Sequence, residues 1–305
     1  MRQRFEYAVT WCLIQALGLP PRPVARRIGA AIGAMAYWSL PRLRGVGLRN
    51  LHLAFPEKSL SERQRILRGM YRSLGWQLAE FCRMSRYTLD QASQCIRYEG
   101  LENYLAAQQR GRGVLVLTGH LGAWELSSFY HSLAGHPMSM VIRRLDNPFV
   151  DALVNRIRCL HGNRVLHKDD FARGLIATMR AGETVGILMD TNMTPPQGVF
   201  VDFFGHAACT GSGMARIALR TGAAVVPGFL LWHPDEQKYV LHFLPALELV
   251  STDNDEADAQ ANTQIFTRVL EETIRRYPEQ WLWVHRRWKT RPAGEAPLYP
   301  QREKQ

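Results

Sequence analysis

The stretch VLVLTGHLGAWELSSFY, Val114 to Tyr130, places a histidine between a predicted buried strand and a predicted helix. The apolar run stops just before His120, and Glu125 follows within the first turns of the helical pattern. A histidine can accept a proton near neutral pH, and a nearby carboxylate can hold the tautomer that this requires. The chain turns at Gly122, so the two side chains could approach each other. The pair is therefore either a proton-handling dyad or a loop histidine beside an ordinary helix-start acid.

Short β-rich runs alternate with amphipathic helical patterns from about residue 98 onward. The predicted strands cover 113–118, 138–142, 164–167, 184–189, 199–203, 224–231 and 239–244, and the predicted helices cover 121–134, 148–160, 171–180, 212–221 and 257–276. Such alternation predicts an α/β fold with a mixed, largely parallel sheet flanked by helices. In open sheets of this kind, ligands bind beyond the carboxyl ends of the strands. His120 and Asp190 both follow predicted strands, so we expect both near that edge.

The N-terminal segment differs in composition from the rest of the chain. The 305-residue chain has a formal net charge of +11, and residues 1–50 hold eight arginines against one acid, a surplus of seven. These arginines flank two apolar runs, 7–19 and 28–40, each shorter than the roughly 20 residues of a spanning helix. We predict that residues 1–45 form helices that anchor the protein in an anionic leaflet, and that residues 46–305 form the catalytic domain. Two buried core helices are the alternative.

Several classes of protein fit poorly. The five cysteines are scattered without metal-like spacing, which indicates reduced thiols. The G-x-S-x-G sequence of a hydrolase nucleophile is missing at the strand-to-helix junction, and no second histidine stands at helical spacing from His120, so a metal site is not expected. The nucleophile would then come from a substrate hydroxyl.

Seven segments in order resemble the lipid A biosynthesis lauroyl/myristoyl acyltransferase family. They are RNLHLAFPE (49–57), HLGAWE (120–125), VIRRLDNP (141–148), RIRCLHGNRVLHKDD (156–170), LMDTN (188–192), VDFFGHAACTGSGMARIALRTGA (201–223) and PEQWLWVHRRWKTRP (278–292). HLGAWE is similar to the H-x4-D/E motif of glycerolipid acyltransferases. The resemblance covers nearly the whole chain and implies a glycerolipid acyltransferase-like fold with an N-terminal anchor.

The resemblance implies transfer of a fatty acyl chain from acyl carrier protein, or coenzyme A, to a hydroxyl of a membrane glycolipid. The expected acceptor is lipid A or its Kdo-bearing precursor, and another glycolipid or a lysophospholipid is the alternative. His120 would deprotonate the hydroxyl and Glu125 would orient His120, with no covalent acyl-enzyme, metal or further cofactor. The expected location is the cytoplasmic face of the inner membrane, and the expected partners are acyl carrier protein, the lipid acceptor and the anionic membrane surface.

Further site residues follow from the same resemblance. Arg143 matches the arginine of the R-x-x-x-N-P stretch, and either Arg156 or Arg158 matches an arginine placed after it. Arginine suits phosphate or a developing oxyanion, although a solvated helix face is the plain alternative. Asp190 matches the strand-end aspartate of the family, and it could equally cap a turn. Thr191 departs from the residue that some relatives carry there, which leaves the acceptor open.

Two segments keep open readings. Thr210 and Gly211 could start a helix and lend backbone donors to an anion, or form an ordinary helix cap. The C-terminal WLWVHRRWKTR, 281–291, could clamp the membrane interface, stack nucleic-acid bases or return to the sheet as a strand. We expect its tryptophans to be buried and its basic residues to face the acceptor or the acidic acyl carrier protein. Nucleic-acid binding is the alternative function of a different class, and we expect no nucleic-acid partner.

Overall fold

The computed structural model describes residues 1–167 and 171–300. Part of the family-like segment 156–170 therefore lies outside the described residues. The described helices are α1 (Arg2–Gly18), α2 (Arg22–Ser39), α3 (Pro41–Ala54), α4 (Leu60–Arg83), α5 (Leu89–Ser93), α6 (Leu101–Gln109), α7 (Trp124–Leu133), α8 (Pro148–Arg158), α9 (Phe171–Arg180), α10 (Gly213–Thr221) and α11 (Asp255–Arg276). The described strands are β1 (Ile96–Glu99), β2 (Val114–Thr118), β3 (Ser139–Ile142), β4 (Arg164–His167), β5 (Thr184–Leu188), β6 (Gly198–Phe203), β7 (His206–Gly211), β8 (Ala224–His233) and β9 (Lys238–Phe243).

Seven strands form one mixed sheet in the order β1-β9-β8-β2-β5-β3-β4. Only the β8–β9 pair is antiparallel within this sheet, and the other neighbours run parallel. The predicted α/β fold with a largely parallel mixed sheet is thus confirmed. The predicted strand at 199–203 instead pairs with β7 in a separate antiparallel hairpin. Strands β1 and β7 were not predicted from the sequence.

The central strand β2 is buried on both faces, as expected for a parallel strand covered by helices. Leu115 and Leu117 pack into the core cluster on one face, whereas Val114 and Val116 pack into the cluster on the other. This alternation follows from the two-residue period of a strand. A rigid, doubly covered β2 therefore positions the residues that follow it.

Helices α2 and α4 cross with their backbones in contact. A Cβ atom added to Gly29 would lie 2.1 Å from the carbonyl oxygen of Gly75, and one on Gly33 would lie 2.1 Å from that of Tyr71. Glycine is thus the one residue that fits at these crossing points. Helix α4 begins with the expected capping box, in which Ser59 and Glu62 satisfy each other's backbone N–H.

The N-terminal helices carry most of the exposed apolar surface. Of the twenty large hydrophobic side chains exposed in the described residues, thirteen precede residue 44. Helix α1 buries only Ile14, Leu17 and Gly18, so it is not a buried core helix, whereas α2 buries one face that includes Gly29, Gly33 and Tyr37. None of the helices within 1–167 and 171–300 combines the length and the hydropathy that crossing a membrane requires.

Candidate active site

The parallel register of β2 and β5 brings His120 and Asp190 together. Thr118 lies opposite Leu188 in this pair, and each candidate residue lies two positions beyond its strand end. His120 Nδ1 lies 2.9 Å from Oδ1 of Asp190. The backbone N–H of His120 donates to Oδ2 of the same carboxylate at 2.7 Å. Asp190 thus fixes both the main chain and the ring of His120, which is more than a turn cap does.

Trp281 supplies a third donor to this carboxylate. Its indole N–H donates to Oδ2 of Asp190 at 2.8 Å. The C-terminal segment reaches this position because Leu121 and Trp281 form an isolated antiparallel bridge and the N–H of Leu282 donates to the His120 carbonyl. Sequence analysis missed this role for Trp281. The available signal was that a buried indole N–H needs a polar partner.

The pKa values of the pair move apart. Burial opposes ionisation of Asp190, but the charge of His120 and the hydrogen bonds from His120 and Trp281 outweigh it and lower the pKa of Asp190 to about 2. Burial likewise lowers the pKa of His120, yet the charge of Asp190, its hydrogen bond and the charge of Glu125 together raise it above its ordinary value. Asp190 is therefore ionised at neutral pH and stabilises a protonated imidazole.

The geometry leaves the other ring nitrogen of His120 for chemistry. Because the ionised Asp190 can only accept, neutral His120 carries its proton on Nδ1 and presents a lone pair at Nε2. The His120 side chain remains 24% exposed, whereas that of Asp190 is 2% exposed. The edge of the Trp124 ring lies beside the imidazole, with centroids 5.1 Å apart. His120 Nε2 therefore makes no bond to Asp190 and is available to accept a proton at the carboxyl edge of the sheet.

Glu125 makes a different contact from the one expected. Its Oε2 accepts a hydrogen bond from Arg158 Nε at 2.8 Å, and its Oε1 is bound by Arg158 Nη2. Both side chains are less than one-fifth exposed. The expectation that Glu125 orients His120 is wrong in this respect, because Asp190 holds the imidazole. Glu125 acts on His120 through its negative charge, which helps to raise the pKa of the imidazole.

The three candidate arginines fall in different environments. Arg158, at the end of α8, is the partner of Glu125, whereas Arg156 is exposed on another face of that helix because two residues span more than half a turn. Arg143 has an 81% exposed side chain that bonds Asp146 at 3.0 Å. The structure therefore brings only Arg158 close to the His120 region. The assignment of these arginines to substrate binding stays a prediction.

Two cavities border this edge of the sheet. A small one of about 60 Å³ lies beneath α7, with the Glu125–Arg158 pair in a lining that is otherwise mainly apolar. A larger one of about 750 Å³ adjoins Thr191, next to Asp190, and shares Val141, Ile142 and Leu188 with the first. Its remaining lining includes Ile187, Met189, Met193, Met214, Arg143 and Arg216. The larger cavity, lined by both apolar and charged side chains, thus lies next to Asp190.

The C-terminal segment is mostly a structural clamp. Its tryptophans are buried as expected, Trp281, Trp283 and Trp288 being at most 1% exposed. They cannot stack on nucleic-acid bases, and the segment is irregular rather than a returning strand. Arg287 was expected to face the acceptor, but it is 1% exposed and donates to the Cys209 carbonyl at 3.0 Å.

The C-terminal segment also contacts Thr210, which was expected to start a helix. This residue lies in β7 rather than at a helix start, and its hydroxyl oxygen is bound by Arg287 Nη2. Burial lowers the pKa of Arg287 to about 10. Thr210 is therefore part of the packing of the C-terminal segment.

The loop after Asp190 is also held by this segment. The N–H of Asn192 donates to His285 Nε2 at 3.0 Å, and Asn192 Oδ1 accepts the N–H of Thr290 at 2.9 Å. Burial lowers the pKa of His285, which suits its role as a neutral acceptor. The position of Asp190 therefore depends on contacts made almost one hundred residues later.

Comparison with known proteins identifies the family of this chain. Residues 2–290 match the family model described as bacterial lipid A biosynthesis acyltransferase. The chain is 31% identical over 296 residues to the lipid A biosynthesis palmitoleoyltransferase of Escherichia coli (strain K12), covering 97% of this chain and 93% of that protein. It is 31% identical over 298 residues to the lauroyltransferase of the same strain, covering 96% and 95%, and 25% identical over 287 residues to its myristoyltransferase, covering 93% and 86%. The chain belongs to the bacterial lipid A biosynthesis acyltransferase family, and it is an acyltransferase.

Proposed function

We propose that this enzyme carries out a secondary acylation of lipid A or its Kdo-bearing precursor, with acyl carrier protein as the acyl donor. The family membership supports the acceptor class. The observation that carries the mechanism is the hydrogen bond between His120 Nδ1 and Asp190, which leaves Nε2 free to act as a base. No group in this scheme requires a metal or a redox cofactor.

The proposed step is direct transfer between two substrates. His120 Nε2 takes the proton of the acceptor hydroxyl as the oxygen attacks the thioester carbonyl, so a C–O bond forms. The tetrahedral intermediate collapses with loss of the thiolate, and the C–S bond breaks. The imidazolium, stabilised by Asp190, then returns the proton to the leaving sulfur. Donor and acceptor atoms balance without an acyl-enzyme.

The apolar cavities are the proposed place for the fatty chain. The larger cavity, about 750 Å³, is within the size range of sites for small molecules. Its methionines can adapt to a chain because the thioether side chain is flexible. The Glu125–Arg158 pair lines the smaller cavity and holds the Arg158 guanidinium in a fixed position there. We propose that this pair positions Arg158 for the thioester or the developing oxyanion.

The proposed location is the cytoplasmic surface of the inner membrane. The exposed apolar side chains of α1 and α2 include Phe5, Val9, Trp11, Ile28 and Trp38. They lie in the segment that also holds the surplus of arginines. Apolar side chains and bases together favour attachment to an anionic leaflet.

The test is acyl transfer by the purified protein to a Kdo-bearing lipid A precursor in mixed micelles. Lauroyl-, myristoyl- and palmitoleoyl-acyl carrier protein are offered in parallel with the matching coenzyme A esters, and the product is read by mass spectrometry. We expect one added acyl chain with a carrier-protein donor. A His120→Ala variant is expected to lose at least a thousandfold in kcat, since general-base catalysis and the oriented dyad are both removed.

His161→Ala is the matched control, because this histidine packs its ring on Phe129 and takes no part in the proposed step. Normal transfer by His120→Ala would disprove the mechanism. Transfer only to a lysophospholipid or to another glycolipid would disprove the proposed acceptor.

A further inference from the structure

An arginine-rich groove lies between α2, α4 and the end of α11, and its lining contains neither His120 nor Asp190. Its volume is about 1040 Å³. Its lining contains five arginines, Arg22, Arg26, Arg27, Arg72 and Arg276, but one acid, Glu279. A second hollow of about 480 Å³ continues from it and adds Arg65 and Arg68. The proposed acyl transfer uses none of these residues.

The nearby carboxylates are already occupied by other groups. Arg72 Nη2 forms a salt bridge with Glu279 Oε2 at 3.0 Å. Glu80, buried below the groove, accepts from Arg22 Nε at 2.9 Å on one oxygen and from the Tyr87 hydroxyl at 2.6 Å on the other.

The remaining three arginines of the groove have no close carboxylate of their own in the part of the chain that the structure describes, since Arg26 only shares the buried Glu80 with Arg22. Within the described residues, the side chains of Arg26, Arg27 and Arg276 make no hydrogen bond, and their closest carboxylate contact is the 3.9 Å approach of Arg26 to Glu80. The groove therefore carries uncompensated positive charge.

Arg26 is the most unusual of these three. Its side chain is only 10% exposed, and its guanidinium lies 4.2 Å from the ring centroid of Trp76 and 3.8 Å from that of Trp232. The two rings hold the plane of the guanidinium by cation–π contact and do not satisfy its N–H donors. Burial lowers the pKa of Arg26, which a bound anion would reverse. A buried, rigidly held fork of donors lining a cavity is a built anion site.

The surroundings indicate what kind of molecule carries the anion. On α2, the exposed apolar residues Val24, Ile28 and Met35 lie about 60–100° round the helix from Arg27, by the 100° spacing per residue. Trp38, which is 69% exposed, lines the second hollow itself. Apolar side chains beside the cations favour a headgroup whose hydrocarbon tails lie in a membrane over a soluble ion.

We propose that this groove binds a phosphate monoester on the headgroup of an anionic lipid, with Arg26, Arg27 and Arg276 as its ligands. Guanidinium forks match the oxygens of a phosphate and hold them in pairs. A phosphate monoester offers three such oxygens and up to two negative charges, so it can satisfy several arginines at once. The binding places the protein at the lipid surface independently of the His120–Asp190 pair. The proposal goes beyond the acyl-transfer function and does not require it.

The test is vesicle binding by the full chain and five variants, two of which replace Arg26 with lysine or glutamine. Phosphatidylcholine vesicles carry either phosphatidic acid, a monoester, or phosphatidylglycerol, a diester, in amounts that give the same surface potential. Arg27→Gln/Arg276→Gln removes two exposed ligands and spares the fold. Arg110→Gln/Arg220→Gln removes the same charge from exposed arginines whose side chains make no hydrogen bond in the described residues, at the opposite edge of the sheet. His120→Ala is the control for the catalytic pair.

We expect wild type and His120→Ala to bind phosphatidic acid vesicles more tightly than phosphatidylglycerol vesicles. The groove variant should lose about tenfold of the former affinity, and the control pair less than twofold. Inorganic phosphate should compete only at millimolar concentration, which marks the lipid as the source of the group. Arg26→Lys, which keeps the charge without the fork, should fall between wild type and Arg26→Gln.

Equal losses in the groove variant and in the control pair would show that only net charge matters, and would overturn the proposal. So would equal affinity for the two lipids, or phosphate binding tighter than vesicle binding. Loss of binding to acyl carrier protein with vesicle binding unchanged would assign the groove to that partner instead. Because this test measures vesicle binding, a negative result would not affect the acyl-transfer proposal. A negative result in the acyl-transfer assay would likewise not affect the proposed lipid site.

Discussion

Replacing Asp190 with asparagine is the sharpest test of the proposed acid–base chemistry. The change keeps the shape of the side chain but removes its charge. The amide can still accept from the backbone of His120 or from Trp281, since both donors lie within 2.8 Å of the same oxygen. Its NH2 group would then face Nδ1 of His120. The imidazole would have to accept at Nδ1 and carry its proton on Nε2, which is the wrong tautomer for a base.

The expected loss can be estimated from this geometry. A charge-removing change at the orienting carboxylate of a serine protease triad costs about 10⁴ in kcat through the same tautomer reversal. We therefore expect a loss of 10³ to 10⁴ here, which is about 4 to 5.5 kcal/mol of transition-state stabilisation. Stability should fall too. The pKa of Asp190, about 2 in the folded chain against an ordinary 3.8, corresponds to roughly 2–3 kcal/mol.

The sign of the stability effect follows from the lowered pKa. The contribution of Asp190 is complete above its unfolded pKa near pH 4, and it is lost as the pH falls towards 2. The assay is single-turnover acyl transfer at pH 7.5 beside urea unfolding at pH 7 and pH 3. Glu125→Gln is the comparison variant. It loses the Arg158 ion pair while leaving the His120–Asp190 contact in place.

Glu125→Gln should lower kcat less than Asp190→Asn does, and it should leave the tautomer of His120 unchanged by ¹⁵N NMR. The reverse ranking would refute the reasoning. If Asp190→Asn kept more than a tenth of the activity and Glu125→Gln abolished it, Glu125 would be the orienting acid after all.

Three further results are expected. Trp281→Phe keeps an aromatic side chain but removes the indole N–H that donates to the Asp190 carboxylate. A charged hydrogen bond of about 1.5–3 kcal/mol is lost, so we expect kcat to fall about tenfold to a hundredfold. The pKa of Asp190, followed by NMR, should rise. The rate at low substrate concentration should rise with pH through the pKa of His120, with a midpoint above 6.5 because Asp190 and Glu125 raise that pKa; a midpoint below 6.5 would contradict their effect on the imidazole. Gly75→Ala should destabilise the fold by about 1–3 kcal/mol in urea titration, since the added methyl would lie 2.0 Å from the Gly29 carbonyl oxygen; unchanged stability would show that α2 moves freely.

Much of the architecture could be predicted because local sequence patterns determine it. The alternation of apolar runs and amphipathic helices predicted the α/β fold, and most predicted strand ends agree with β2, β3, β4, β5, β8 and β9 within one or two residues. The exceptions have a physical reason. Only Ile96 of β1 is fully buried, so no apolar run marks this strand. The β6 segment is amphipathic enough for a strand but pairs only with β7, away from the main sheet.

By itself, the sequence determined where the candidate catalytic histidine lies. A histidine directly after a buried strand lies at the carboxyl edge, whichever partners it has. It also determined the basic, apolar N-terminal helices, since charge and hydropathy are properties of the chain.

Only the tertiary structure decided which acid holds the imidazole. Glu125 is five positions away, but Asp190 is seventy positions away, and the in-register pairing of β2 with β5 makes the distant residue the neighbour. The partner of Glu125 also depends on tertiary packing, because α8 packs beside α7 and places Arg158 next to that carboxylate. Side-chain partnership depends on distance in space, and strand register sets that distance.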